Sequence, residues 1–273
     1  MKVIPPEILK RRGARSTALV PCEVRVLLNE GRIEAVNLSE WLVIDHGELA
    51  GHVLPSVGRR DLVKPVRAAL AEPGVSTAPK RLVAVAGALA AGCAGVEEAD
   101  ALWAGLMGQP SDTARSWAAG LVGKHPSFRL PDRLERLRGA AADRNMGVRE
   151  CAWMSVRAEV AGDPEGAVRL LVPWTADVEE GVRRFASEVT RPCGVWCAHI
   201  AKLREQPEIG LPLLGPLRSD PSRYVQNSVG NWLNDAARAR PGWVRSVCAA
   251  WRSSSATAAT AWIVKRALRN CGP

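Results

Sequence analysis

Three carboxylates sit in unusual company for a basic chain. Glu150 lies in VRECAW, Glu188 in SEVTRP and Asp235 at the end of NWLND, with Arg149 beside the first, Arg183, Arg184 and Arg191 around the second, and Arg223 leading toward the third. Acidic groups repel phosphates, so carboxylates among phosphate-binding cations need another reason. One reason is structural, since Glu and Arg at helical spacing form solvated or inter-repeat ion pairs. The other is catalytic: a carboxylate can stabilise an oxocarbenium-like sugar and orient water while a glycosidic bond is cleaved. Spacing alone leaves both open. Trp196 follows Glu188 beyond a helix-ending proline. Its indole face suits either an electron-poor base or the foot of an inter-repeat core.

The stretch YVQNSVGNWLND poses a related question, because Asn is a poor helix former and three stand here within twelve residues. Asp220 or Ser222 can cap a helix that Pro221 suits at its first turn, and its N-terminus beside Arg223 is a natural phosphate seat. Asn227, Asn231 and Asn234 then either bridge neighbouring repeats or face nucleic acid.

Whole-chain composition points the same way. In 273 residues, 37 Lys and Arg against 28 Asp and Glu leave a net charge of +9, and mostly as Arg, whose planar fork fits phosphate. Ten Trp against one Tyr and two Phe read as bulky helix anchors. Seven Cys without framework spacing fit a reducing compartment and thiols used as small hydrophobes. Cys193, Cys197 and His199 have no second ligand pair at metal-binding spacing, so no metal is expected. Pro-Pro replaces the apolar run of a signal peptide, and the uncharged run 82–96 is too short to span a bilayer. A cytoplasmic protein, nucleoid-associated when bound to DNA, is expected, with no membrane partner.

The elements that must position these residues recur. Helix-like segments begin at 114, 148, 182, 225 and 260, offsets of 34, 34, 43 and 35, which is the mark of stacked helical hairpins. ADALWAGLM, PDRLERLRGAAA, PEGAVRLLVPW, PEIGLPLLGPLR and PGWVRSVCAAW read as partner helices, and the longest interval holds an extra segment, RPCGVWCAHIAKLREQ. The expected fold is all-α: a single domain over 1–273, a right-handed α-solenoid of HEAT-like helical hairpin repeats over 80–273 with a less regular helical cap at 1–60. Matched positions on second helices would converge on one groove.

RRFASEVTRPCGVW, LRSDPSRYVQNSVGNWLNDAARARPGWV and TAWIVKRALR together resemble the AlkC/AlkD superfamily of HEAT-like alkylpurine DNA glycosylases, and more closely its AlkC branch. The likeness runs across 178–269, through MGVRECAW, and more weakly to NEGRIEAVNLSEWLVID at 29–45. It implies monofunctional excision of N-alkylated, cationic bases from duplex DNA held in a concave basic groove, by a monomer, without full base extrusion and with no cofactor. Carried over by position, it implies Glu150, Glu188 and Asp235 as the catalytic carboxylates. It sets Trp196 on the lesion; Trp153 and Trp232 are further candidates for the lesion or DNA, with Arg149, Arg184, Arg191, Arg223, Asn227, Asn231, Lys265, Arg266 and Arg269 as expected DNA contacts. Where the resemblance leads one to expect Gly after Glu188, this chain has Val189, which removes backbone freedom beside a catalytic residue. The sequence ends soon after the last helix, so affinity is expected from the solenoid alone. The alternative is a non-catalytic HEAT-repeat module that binds distorted or branched DNA.

Overall fold

A computed structural model describes residues 4–194 and 197–271. The chain forms two compact units, 1–155 and 156–273, and the boundary falls inside one long helix. Among the described residues there is no strand.

The first unit holds α1 (Pro6–Leu9), α2 (Cys22–Asn29), α3 (Leu38–Leu42), α4 (His46–Ser56), α5 (Val63–Ala71), α6 (Ala78–Ala91), α7 (Val96–Met107), α8 (Asp112–Lys124), α9 (Leu130–Ala141) and the start of α10 (Met146–Gly162). Helix α8 is its axis, packed against α6, α7 and α9, with Trp117 wholly buried and its indole N–H donated to His46 Nδ1 at 3.3 Å. The N-terminal cap is tied on by backbone. The Ala35 N–H donates to Asp112 (3.1 Å) and the Ala35 carbonyl accepts from Asn145 (3.0 Å), while Arg115 and Arg144 both bind Glu34.

The second unit continues with α11 (Pro164–Leu171), α12 (Glu180–Val189), α13 (Ala201–Glu205), α14 (Leu211–Leu214), α15 (Arg223–Ala237), α16 (Pro241–Ser254) and α17 (Ala258–Ala267). Helices α12, α15 and α17, the second helices of the expected repeats, pack in that order. The partner helix expected in PEIGLPLLGPLR is broken into 3₁₀ turns at Pro207–Gly210 and Pro216–Ser219 around the single turn of α14. Three prolines in ten residues remove the N–H groups that a continuous helix requires. Gly210 leaves the space that Trp232 fills: a side chain there would collide with the indole. Ser222 caps α15 by accepting from the Tyr224 N–H, and Asp220 accepts from the Ser222 N–H.

One arginine device recurs at an offset of 34. Arg115, Arg149 and Arg183 each donate Nη1 to the carbonyls five and six residues earlier, gripping the loop that enters their helix. Arg115 also binds Asp143, and Arg183 binds Asp220 through two bonds of 2.6 and 3.0 Å. Each pair links successive repeats. Because Asp220 is nearly inaccessible, Arg183→Met strands a buried carboxylate and is expected to lower stability by about 3 kcal/mol. Adding Asp220→Asn should restore part of it. Urea unfolding of the two variants checks both.

Candidate active site

In the second unit, the sequence places Glu188 on the last turn of α12, Arg191 just beyond it, and Asp235 on the last turn of α15. Packing of α12 on α15 brings the three together. Arg191 donates Nη1 to Glu188 Oε1 (2.7 Å) and Nε to Asp235 Oδ2 (2.9 Å), so one guanidinium holds both carboxylates. The Ser228 hydroxyl donates to the second oxygen of Glu188 at 2.6 Å, and Ser187 Oγ lies 2.8 Å from Ser228 Oγ. Arg184 approaches Glu188 Oε2 to 3.5 Å and lies over the Tyr224 ring. Glu188 and Asp235 are 5 and 4% exposed, so charge at this centre is poorly screened.

The two acids respond differently. Burial opposes ionisation of Glu188, yet the charges of Arg184 and Arg191, with bonds from Ser228 and Arg191, outweigh it and hold the group below the usual carboxylate range. For Asp235 burial prevails over Arg191 and Arg238, aided by the nearby Glu188, and the group is pushed up. Such a split suits two carboxylates with two roles.

The asparagines of α15 turn to α17. Asn227 Oδ1 accepts from Trp262 Nε1 (3.0 Å), Asn231 Oδ1 from Arg266 (2.8 Å) and Arg269 (3.1 Å), and Asn234 Oδ1 from Arg269 (3.2 Å) and Asn270 (3.0 Å). They bridge repeats, at a spacing of 35 for three of these bonds. Gly230 permits the approach, since a Cβ there would stand 2.9 Å from that of Arg266. The Arg223 guanidinium lies over the ring of the exposed Trp262, 3.8 Å from its centroid, and Lys265 is exposed on the same helix.

Trp232 is wholly buried and donates to Thr190 Oγ1, so it is a core anchor and not a DNA contact; its position between α12 and α15 required a large apolar filler. Trp196 lies outside the described residues. Val189 is fully buried. In the first unit, Glu150 accepts at Oε2 from Trp153 Nε1 (2.9 Å), and Trp153 is itself buried, holding that carboxylate. Arg149 there grips the 143 and 144 carbonyls. Cys193 is buried, and no cluster of three metal-ligating side chains occurs among the described residues. Sequence reasoning missed Ser228, whose spacing to Asp235 places it two turns earlier on one helix face. Trp262 was also missed: TAWIVKRAL was read for its cations.

No protein-family model matches the chain. The fold, however, an all-α, HEAT-like helical architecture, is shared with a solved alkylpurine DNA glycosylase and with two further solved structures. AlkC of Pseudomonas fluorescens, bound to DNA containing an abasic-site analog, superimposes with a TM-score of 0.67 at 23% identity over 94% of this chain and 65% of that one. AlkD2 of Streptococcus mutans gives 0.60 at 20% identity over 78% of this chain and 99% of its own. The protein smu.31 of Streptococcus mutans UA159 gives 0.55 at 19% identity over 82% and 99%. In sequence, the chain is 37% identical over 115 residues to the uncharacterized protein YhaZ of Bacillus subtilis (strain 168), 42% of this chain and 32% of that protein. The chain thus spans about a third of YhaZ and just under two thirds of AlkC.

Arg191→Gln tests the centre. Both acids then lose their shared cation and their folded-state pKa values rise, so the stability they contribute is present at low pH and lost as pH rises through those values. The variant is expected to lose on the order of 3 kcal/mol at pH 8 and distinctly less at pH 5, read from urea midpoints at the two pH values.

Proposed function

We propose that the protein is a monofunctional DNA glycosylase that hydrolyses the N-glycosidic bond of N-alkylated, cationic bases in duplex DNA. The observation that carries this reading is the gathering of Glu188 and Asp235, from successive repeats, on the single guanidinium of Arg191. The fold shared with AlkC, the DNA held by that protein, and the net charge of +9 add support.

A base that is already positively charged leaves as a neutral molecule, so no general acid is required. As the bond to C1′ lengthens, positive charge passes to the sugar, and the ionised Glu188 stabilises it. Asp235, with its raised pKa, is the better proton acceptor and takes a proton from the attacking water. Arg191 must exchange at least one carboxylate for a DNA phosphate, since a cation held against both acids opposes a cationic transition state. Arg223, Arg266, Arg269 and Lys265 supply further phosphate contacts. The chemistry acts on the sugar, so the base need not be fully extruded.

Incubated with duplexes carrying small and bulky N-alkyl adducts, the protein is expected to release modified base, identified by mass spectrometry, and to leave abasic sites. Glu188→Gln and Asp235→Asn should each slow single-turnover excision by roughly 100-fold or more, while Glu150→Gln measures the share of the first unit's carboxylate. The rate should fall as pH drops through the raised Asp235 value. Absence of release from every adduct overturns the reading.

A second reading, a non-catalytic module for distorted or branched DNA, is favoured by one observation: both carboxylates are already engaged by Arg191. It predicts that Glu188→Gln and Asp235→Asn bind DNA more tightly by liberating Arg191, with a steep salt dependence and no base release.

A further inference from the structure

Arg157 is the buried cation that this chemistry leaves unused. It lies on the second-unit part of α10, is 3% exposed, and directs its donors at the main chain around the centre. Nη1 donates to the Val189 carbonyl (2.8 Å) and Nη2 to that of Arg191 (2.7 Å). Nε and Nη2 both reach the Ala198 carbonyl, at 3.3 and 3.2 Å. Carbonyls at the end of a helix lack the partner that the next turn would have supplied. Here one planar fork collects them from α12 and from the segment returning toward α13. The Ile200 N–H donates to the Pro192 carbonyl (3.0 Å) and closes the same segment. Gly194 makes room: a Cβ there would stand 2.8 Å from the Cys197 carbonyl oxygen and 3.2 Å from Arg157 Nε.

We propose that Arg157 is a positioning residue for the Glu188–Arg191–Asp235 centre, a buried fork that fixes the backbone of Arg191 and so fixes where its guanidinium meets the two acids. The kinetic part of this inference rests on the glycosylase reading; the structural part does not. A fork is required because three carbonyls in different directions must be bound at once, and an ammonium offers no fixed planar geometry. The charge matters as well. Burial and the like charge of Arg191 push Arg157 below its ordinary value, whereas Cys197, Glu188 and Asp235 act in the opposite sense. By reciprocity, Arg157 favours the ionised form of both acids.

Three variants test it: Arg157→Met, Arg157→Lys and Gly194→Ala, the last leaving the guanidinium in the chain. Amide hydrogen exchange over 189–194 and 197–200 should quicken at least tenfold in Arg157→Met and Gly194→Ala, with α16 and α17 unchanged. The Arg191 Nε–H resonance, protected by Asp235, should be lost. In single-turnover excision Arg157→Met should fall at least 30-fold with DNA affinity within threefold, its acid limb should move to higher pH, and Arg157→Lys should recover part of the rate. Unchanged exchange over 189–194 and 197–200 with an intact Arg191 signal overturns the proposal, as does a rate loss that merely follows DNA affinity or melting temperature. If the unaltered protein excises nothing, the glycosylase reading fails, and the exchange and resonance measurements still decide whether Arg157 sets Arg191.

Discussion

A guanidinium held between two buried carboxylates from different repeats is the constraint on which the second unit turns. Removing charged groups from water is costly, and the cost is offset only when the geometry is good and remaining lone pairs are satisfied. Arg191 meets Glu188 and Asp235, and Ser228 supplies the further donor that Glu188 needs. The arrangement ties α12 to α15 alongside their packing. It also keeps two acids together that would otherwise repel each other.

The same logic recurs along the chain at lower chemical stakes. Arg115 with Asp143, and Arg183 with Asp220, tie one repeat to the next while gripping the preceding loop. These pairs specify register, since each aspartate lies in a loop that only the correct neighbour presents. The centre at Arg191 is a variation on this device, with a second carboxylate recruited.

Much of this was legible beforehand. The period of the second helices was visible because their Trp, Arg and Ala recur at nearly fixed offsets, and the all-α architecture followed. Glu188 and Asp235 were singled out by their setting. What was hidden was direction: sequence spacing does not say whether Arg149 points to solvent or to the carbonyls behind it, nor that Trp232 is enclosed. The break at PEIGLPLLGPLR was underestimated because its leucines keep a helical rhythm that prolines interrupt. Ser228 gave only the weak signal of its two-turn spacing to Asp235, as a lone serine inside a helix has many ordinary uses.

The asparagines of α15 carry a consequence for the cations beside them. Aspartates at 227, 231 and 234 would have accepted the same donors from Trp262, Arg266 and Arg269, and more strongly. They would also have cancelled the positive field of the final helix and added to the negative charge around Asp235. Neutral amide oxygens hold the arginines in place while leaving their full charge to act at a distance, so the seam is fastened without dimming the attraction that any polyanion would feel.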